Sequence, residues 1–136
     1  MMSTWRSFWF APTPRRDLAL FRIVVVSSNV LYLLGSNFLA RVEDASLIGH
    51  AEYSPLPVVR LPLSLLGAFD RPALATLYVV YWMVIASGIL AAVGWFTRVS
   101  LALFAVGYLT LFGYVYAFGE YHHPPGLALI MLVALL

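Results

Sequence analysis

The chain of 136 residues contains no cysteine and no lysine, and only 10% of its residues are charged. The absence of cysteine excludes disulfide bonds, thiolate catalysis and cysteine-ligated zinc within this sequence. The absence of lysine excludes a Schiff base and an amine acting as general base. A soluble domain carries about 25% charged residues, whereas 62% of this chain is hydrophobic. The composition therefore predicts a polytopic membrane protein in contact with the lipid bilayer.

Long apolar runs indicate where the chain crosses the membrane. A helix needs about 20 apolar residues to cross the hydrocarbon core, and a fourth, shorter run is still apolar at Leu136. We therefore expect an all-α, polytopic transmembrane helical bundle with three complete spans, a truncated fourth and an N-terminal interfacial segment, in a sequence that is a fragment of a longer protein. Within a single domain 1–136, the predicted segments are a leader at 1–16, spans at 17–39, 72–93, 98–118 and 123–136, and an outer loop at 40–71.

Aromatic and polar residues near the spans predict interfacial contacts and helix starts. Trp5, Phe8 and Trp9 share one face at helical spacing, as in segments that lie at the lipid headgroups. Asp17 has the side chain of an N-cap for the first span. In the outer loop, residues 61–69 predict a short amphipathic helix lying on the membrane.

The arginines bear on partners and on orientation. All eight cations of the chain are arginines, and because they are scattered along it we expect no nucleic acid partner. Arg6, Arg15, Arg16 and Arg98 fall on one side of three complete spans, and the arginines of the other side are offset by carboxylates. This bias favours a cytoplasmic N-terminus, with the long loop facing outward.

Three polar residues of the first span, Arg22, Asn29 and Ser36, are spaced seven apart and share one stripe of a helix. Polar groups in hydrocarbon normally turn toward the interior of a bundle. One interpretation is interhelical hydrogen bonding, with Arg22 extending to the headgroups. The other is contact with a substrate or a quinone headgroup, which makes Arg22 and Asn29 candidate cofactor-binding residues.

The second and third spans carry signals of packing. Gly88 and Ala92 have the spacing that lets two helices approach closely. Arg98 is expected to lie at the headgroups on the cytoplasmic side of a span end, where positive residues are common. Either Thr97 or Ser100 is the expected N-cap of the third span.

A histidine pair, His122 and His123, follows the third span. Three interpretations are open: residues that cap the next span at the interface, groups that move a proton or donate a hydrogen bond at the outer surface, and metal ligands. Adjacent histidines on a helix point about 100° apart, so they do not share one ion as an i, i+4 pair does. We therefore expect no metal and treat both as candidate catalytic residues.

Tyrosines crowd the outer half of the third span. Tyr108, Tyr114, Tyr116 and Tyr121 suit either an aromatic belt at the interface or a ring-lined pocket for a flat lipophilic cofactor. The second interpretation makes Tyr114 another candidate cofactor-binding residue.

Three sequence features together resemble one known family. The first is WF-x-P-x-P-RR-x-LALFRI at residues 9–23, and the second is a proline-rich loop followed by LYVVY at 77–81. The third is a small-residue span, Gly94, then Arg98-Val99-Ser100, and an aromatic span that ends at His122 before a leucine-rich segment. In this order they resemble the HTTM domain, the transmembrane domain shared with vitamin K-dependent gamma-carboxylases. The chain corresponds to about the first half of such a domain.

The resemblance implies a membrane-embedded helical bundle that uses a reduced quinone such as vitamin K hydroquinone. In the carboxylases, oxygenation of this quinol generates a base that removes a glutamate gamma-proton before carbon dioxide is added. A functionally important histidine of the family corresponds to His122, or to His123 if the alignment slips by one. The family's catalytic lysine lies further along, and this sequence has none.

We therefore expect an integral protein of a bacterial cell membrane that couples quinol oxygenation to carboxylation of a peptide or small-molecule substrate at the outer face. The alternative is a non-catalytic membrane scaffold or a DoxX-like partner of a redox system. A transporter predicts repeated halves with broken helices at the midplane, and no such repeat is present in this sequence.

Overall fold

The computed structural model describes residues 15–49, 52–55, 57–66 and 71–118. Within these ranges the chain is all-helical and contains no strand. The helices are α1 (Arg15–Gly35), α2 (Phe38–Leu47), α3 (Pro57–Leu66), α4 (Leu74–Val93) and α5 (Thr97–Tyr116).

Three of these helices are long and apolar enough to cross a membrane: Asp17–Gly35, Leu74–Val93 and Thr97–Tyr116. The prediction of an all-α integral membrane protein with three spans is confirmed in these ranges. The leader at 1–16 lies almost entirely outside the described residues, and so does the fourth span at 123–136.

The first span ends earlier than the predicted 17–39, because the helix breaks at Ser36 and Asn37. Asn37 has φ 50°, in the left-handed region that asparagine tolerates better than most residues. The chain then turns into α2, where Phe38, Val42 and Ala45 are buried. Their spacing of three to four residues is a helical stripe. The predicted loop 40–71 therefore holds most of α2, which was not predicted, in addition to one short helix near the predicted 61–69.

The long helices alternate in direction, and one contact shows which ends meet. The guanidinium of Arg22, near the start of α1, lies 3.2 Å from the position that a Cβ of Gly94 would occupy. Gly94 ends α4 with φ 91°. We call the end with the start of α1 and the 94–96 turn the turn end, and the end with α2 and Arg71 the loop end.

α4 packs against both α1 and α5, and Gly88 makes this packing close. A Cβ added at Gly88 would lie 2.6 Å from Cγ2 of Val30 on α1 and 2.8 Å from the ring of Phe104 on α5. Since lipid tails are as apolar as leucine, helices in a bilayer associate through such close packing rather than through water exclusion. The predicted small-residue face at Gly88 is thus a helix–helix contact.

A helix at 61–69 was predicted to lie on the membrane surface. In the structure, α3 lies instead beside the middle of the spanning helices. Its Leu63 is fully buried, and its Pro62 and Leu65 share an apolar groove with Met83 of α4 and Gly107 of α5. Met83 and Gly107 lie near the midpoints of their helices. The sequence predicted an amphipathic helix at 61–69 but not its earlier start at Pro57 or its packing against α5.

The predicted helix caps are wrong. Asp17 lies in the first turn of α1 rather than before it, because the helix begins at Arg15. The N-cap residue of α5 is Phe96, which makes no side-chain cap. The hydroxyls of Thr97 and Ser100 instead donate to the backbone carbonyls of Gly94 at 3.0 Å and Trp95 at 2.9 Å.

Candidate ligand cavity at the loop end

A cavity of about 410 Å³ opens at the loop end between α2 and the last turn of α5. Small-molecule sites in proteins are typically about 300–1,000 Å³. α2 contributes residues of one helical face to the wall, and α5 and the residues after it contribute mainly rings. The lining residues are Phe38, Arg41, Asp44, Ala45, Ile48, Phe112, Val115, Tyr116 and Phe118.

Aromatic rings form the inner wall of this cavity. The ring centroids of Phe38 and Phe112 are 4.7 Å apart, and those of Phe112 and Tyr116 are 5.9 Å apart. Phe38 is fully buried and Phe112 nearly so. Such offset and tilted rings hold each other in place, so the wall is a fixed apolar surface.

Arg71 holds the two sides of the cavity together. Its Nη1 donates to the carbonyl of Ile48 at 2.6 Å, and its Nη2 donates to the carbonyl of Ala45 at 2.6 Å. These carbonyls belong to the C-terminal end of α2, which favours a cation. On the other side, Nε and Nη2 donate to the hydroxyl of Tyr114 at 3.0 and 2.9 Å. One guanidinium thus ties the end of α2 to the end of α5.

The segment 52–55 and Phe118 complete the packing around Arg71. The Arg71 guanidinium lies over the Phe118 ring, 4.8 Å from its centroid, in a cation–π arrangement. The Tyr53 ring lies 5.5 Å from that of Phe118, and the backbone N–H of Ser54 donates to the carbonyl of Ala117 at 2.8 Å. Arg71 therefore positions Ala45, Ile48 and Phe118, all of which line the cavity.

Polar groups lie at the mouth of the cavity. Arg41 and Asp44 are exposed, and Tyr116 is half-buried. Glu43, on another face of α2, accepts a hydrogen bond from the hydroxyl of Tyr78 on α4, which fixes α2 against the bundle. The cavity thus combines an aromatic interior with a cation, a carboxylate and a phenol where it opens.

The three candidate cofactor-binding residues do not meet in one site. Tyr114 is fully buried at the loop end, whereas Arg22 lies at the turn end beside Gly94. The side-chain amide of Asn29 donates to the carbonyl of Val25 on its own helix at 2.8 Å. Ser36, the last member of the predicted stripe, has a buried hydroxyl without a hydrogen-bond partner. Binding by Arg22, Asn29 or Tyr114 therefore stays a prediction for each residue separately.

The tyrosines of α5 face the protein rather than lipid. Tyr108 and Tyr114 are buried, and of these tyrosines only Tyr116 lines the cavity. Their burial argues against an aromatic belt, and a ring-lined pocket for a cofactor stays a prediction. Tyr121 lies outside the described residues, as do the candidate catalytic residues His122 and His123.

Sequence reasoning missed the residues that build the cavity. Arg71 precedes a span and was counted as a loop charge, and nothing local shows that it bonds Tyr114, which is 43 residues away. Phe38 lay at the end of the predicted first span 17–39, and Arg41 lay in the predicted loop 40–71. The helical spacing of Phe38, Val42 and Ala45 was the available signal, because three apolar residues at that spacing indicate a buried helical face.

A scan against protein-family models, a search of curated proteins and a search of solved structures each returned no significant match for this chain. The class of the protein therefore comes from its fold and cavity. It is an α-helical integral membrane protein with three candidate spans among the described residues and a ring-walled cavity at one end of the bundle.

Proposed function

We propose that this protein is of the HTTM and gamma-carboxylase-like type and that it binds a flat lipophilic quinol at the loop end. The single observation that carries the proposal is the cavity between α2 and α5, with its aromatic wall and polar mouth. The resemblance of residues 9–23, 77–81 and 94–122 to that family supports the same assignment.

The residues of the cavity fit a quinol such as vitamin K hydroquinone. The rings of Phe38, Phe112 and Phe118 suit stacking with a fused aromatic ring. Arg41 and Tyr116 line the cavity where it opens, and both offer hydrogen-bond donors that the oxygens of a quinol would accept. The opening lies near the ends of two spans, so a ligand with an apolar tail would reach it from the bilayer.

The quinol would supply the chemistry that the family resemblance implies, namely a base that removes a substrate gamma-proton before carboxylation. The described residues supply binding and orientation. His122 or His123, which lie outside the described residues, would move a proton or stabilise charge in the reaction, as the family resemblance implies. The family's lysine has no counterpart in this sequence.

The alternative function is a non-catalytic scaffold or a DoxX-like partner of a redox system. The exposed apolar face of α1 favours this alternative, because Val24 is 65% exposed and Leu31 is 68% exposed. Such a face suits a neighbouring helix as well as lipid. Direct measurement of quinone binding separates the two functions.

Filling the cavity is expected to weaken quinone binding. Val115→Trp adds an indole to the lining, and we expect the dissociation constant for a naphthoquinone with a short isoprenoid tail to rise tenfold or more, because the ring then clashes with the wall. Isothermal titration calorimetry on the detergent-purified full chain measures this constant. Val99→Trp is the matched control, since Val99 is exposed near the start of the same helix. The proposal fails if the unmodified protein does not bind, or if folded Val115→Trp protein binds equally well.

The catalytic role is tested separately from binding in the same purified protein. Replacement of His122 and His123 with alanine in the full-length protein is expected to abolish quinol epoxidation while the dissociation constant stays within about twofold. Unchanged epoxidation would remove the histidines from the mechanism and leave the cavity as a binding site.

Reporter fusions are expected to place the two ends of the bundle on opposite sides of the membrane. A cytoplasmic reporter after Trp95 should be active, and one after Gly49 should be inactive, because the arginine bias favours a cytoplasmic turn end. An export reporter at the same two positions should give the reverse pattern. Activity at both positions with one reporter would contradict the alternation of the spans. If each reporter were instead active at the position opposite to the expected one, only the predicted orientation would be wrong.

A further inference from the structure

The turn end holds an arginine whose charge has no partner in the described part of the protein. The Nε of Arg22 is buried and has no hydrogen-bond partner. Its Nη2 lies 3.2 Å from where a Cβ of Gly94 would be, so the guanidinium packs directly over the glycine. A Cβ at this position would crowd the guanidinium, and the φ of 91° at Gly94 also favours glycine.

Arg22 lies within the span, where a cation without a counter-charge is energetically unfavourable. Arg22 lies five residues after Asp17, where the candidate span begins, which is about 7.5 Å at a rise of about 1.5 Å per residue. Cations at this depth are rare and normally pair with a polar group or extend to the headgroups. A guanidinium, with five N–H donors in a planar fork, matches phosphate geometry.

The residues of the turn next to the guanidinium are typical of the membrane interface, where lipid headgroups lie. Trp95 and Phe96 are 63% and 73% exposed, and their rings stack with centroids 6.0 Å apart. Exposed aromatic side chains at a span end are typical of the membrane interface. Arg98 is exposed one turn further on and adds a second cation. Asp17 is the exposed carboxylate at this end.

One further observation favours a lipid over a free anion, and another favours an anion of either kind. Exposed apolar side chains flank the turn, with Leu18 50% exposed on α1 and Val93 77% exposed at the end of α4. These surfaces suit acyl chains that continue from a headgroup into the bilayer. The first N–H groups of α5 also lack a side-chain cap, and the N-terminus of a helix favours a negative charge.

We propose that Arg22, the 94–96 turn and Arg98 form a binding site for the phosphate of an anionic phospholipid. The Arg22 guanidinium donates to the phosphate oxygens, Gly94 leaves the space for that guanidinium, and Arg98 adds charge at the surface. This site lies at the opposite end of the bundle from the quinol cavity and does not depend on the proposed function.

Lipid binding is measured on the detergent-purified full chain by native mass spectrometry during titration with phosphatidylglycerol or phosphatidylcholine. We expect the unmodified protein to bind one phosphatidylglycerol at least tenfold more tightly than phosphatidylcholine. Arg22→Gln should reduce the affinity for phosphatidylglycerol by at least tenfold, and Arg98→Gln by a smaller factor. Arg60→Gln removes an exposed arginine of α3 and should leave the affinity unchanged.

One further variant and a free anion keep the result decisive. Arg22→Lys retains the charge but not the fork and should bind with intermediate affinity, which covers the case in which Arg22→Gln does not fold. Inorganic phosphate at millimolar concentration should not displace the lipid. Equal binding by Arg22→Gln and unmodified protein would overturn the site, and so would equal binding of the two phospholipids. Displacement by inorganic phosphate would show an anion site that is not specific for lipid.

Discussion

Replacing Arg71 with glutamine is expected to lower the free energy of unfolding by about 2–4 kcal/mol, because hydrogen bonds to charged groups contribute about 1.5–3 kcal/mol and this substitution removes several at once. The guanidinium donates to the carbonyls of Ala45 and Ile48 and to the hydroxyl of Tyr114. After the substitution, the end of α2 loses its cation and the Tyr114 hydroxyl loses its donor. The cavity wall should loosen along with the bundle.

Denaturation with dodecyl sulfate in mixed micelles, followed by circular dichroism, measures this loss. Arg60→Gln is the matched control, because Arg60 is exposed on α3 and surface substitutions usually change stability by less than about 0.5 kcal/mol. Tyr114→Phe and the double variant complete a thermodynamic cycle, in which we expect a coupling of about 0.5–3 kcal/mol between residues in contact. If Arg71→Gln lowered the free energy of unfolding no more than Arg60→Gln does, the role of Arg71 in joining α2 to α5 would be contradicted.

Adding a single methyl group at Gly88 is expected to destabilise the bundle, although glycine to alanine normally stabilises a helix. The new Cβ would lie 2.6 Å from Val30 Cγ2 and 2.8 Å from the Phe104 ring, so these side chains, or the helices that carry them, must shift. Overpacking of this kind costs typically about 1–3 kcal/mol. We therefore expect Gly88→Ala to lower the midpoint of denaturation.

Gly35→Ala is the control, because we expect it not to lower the stability of the bundle. A Cβ at Gly35 would meet nothing within 4 Å, and alanine is favoured over glycine in a helix by about 0.5–1 kcal/mol. The same titration should therefore show Gly35→Ala to be neutral or stabilising while Gly88→Ala is destabilising. Stabilisation by both substitutions would mean that the three helices do not meet closely at Gly88.

The sequence did not predict the α2 side of the cavity, because charged residues interrupt the apolar positions of this helix. In α2, Arg41, Glu43 and Asp44 lie between the buried Phe38, Val42 and Ala45, so the segment has the composition of a loop while its spacing is that of a helix. The tyrosines of α5 suited both a belt and a pocket, and only the burial of Tyr108 and Tyr114 in the structure argued against the belt.

The sequence by itself determined that the chain is helical and crosses a membrane, because both follow from the length and composition of continuous segments. It also indicated the close approach at Gly88, since a small residue at that spacing has few other uses in a span. The tertiary structure alone decided that the chain breaks at Asn37, that α3 packs beside the middle of the spans, and that Arg71 joins α2 to α5. These features depend on contacts between segments far apart in the chain, such as the 43 residues that separate Arg71 from Tyr114, and no local pattern specifies such partners.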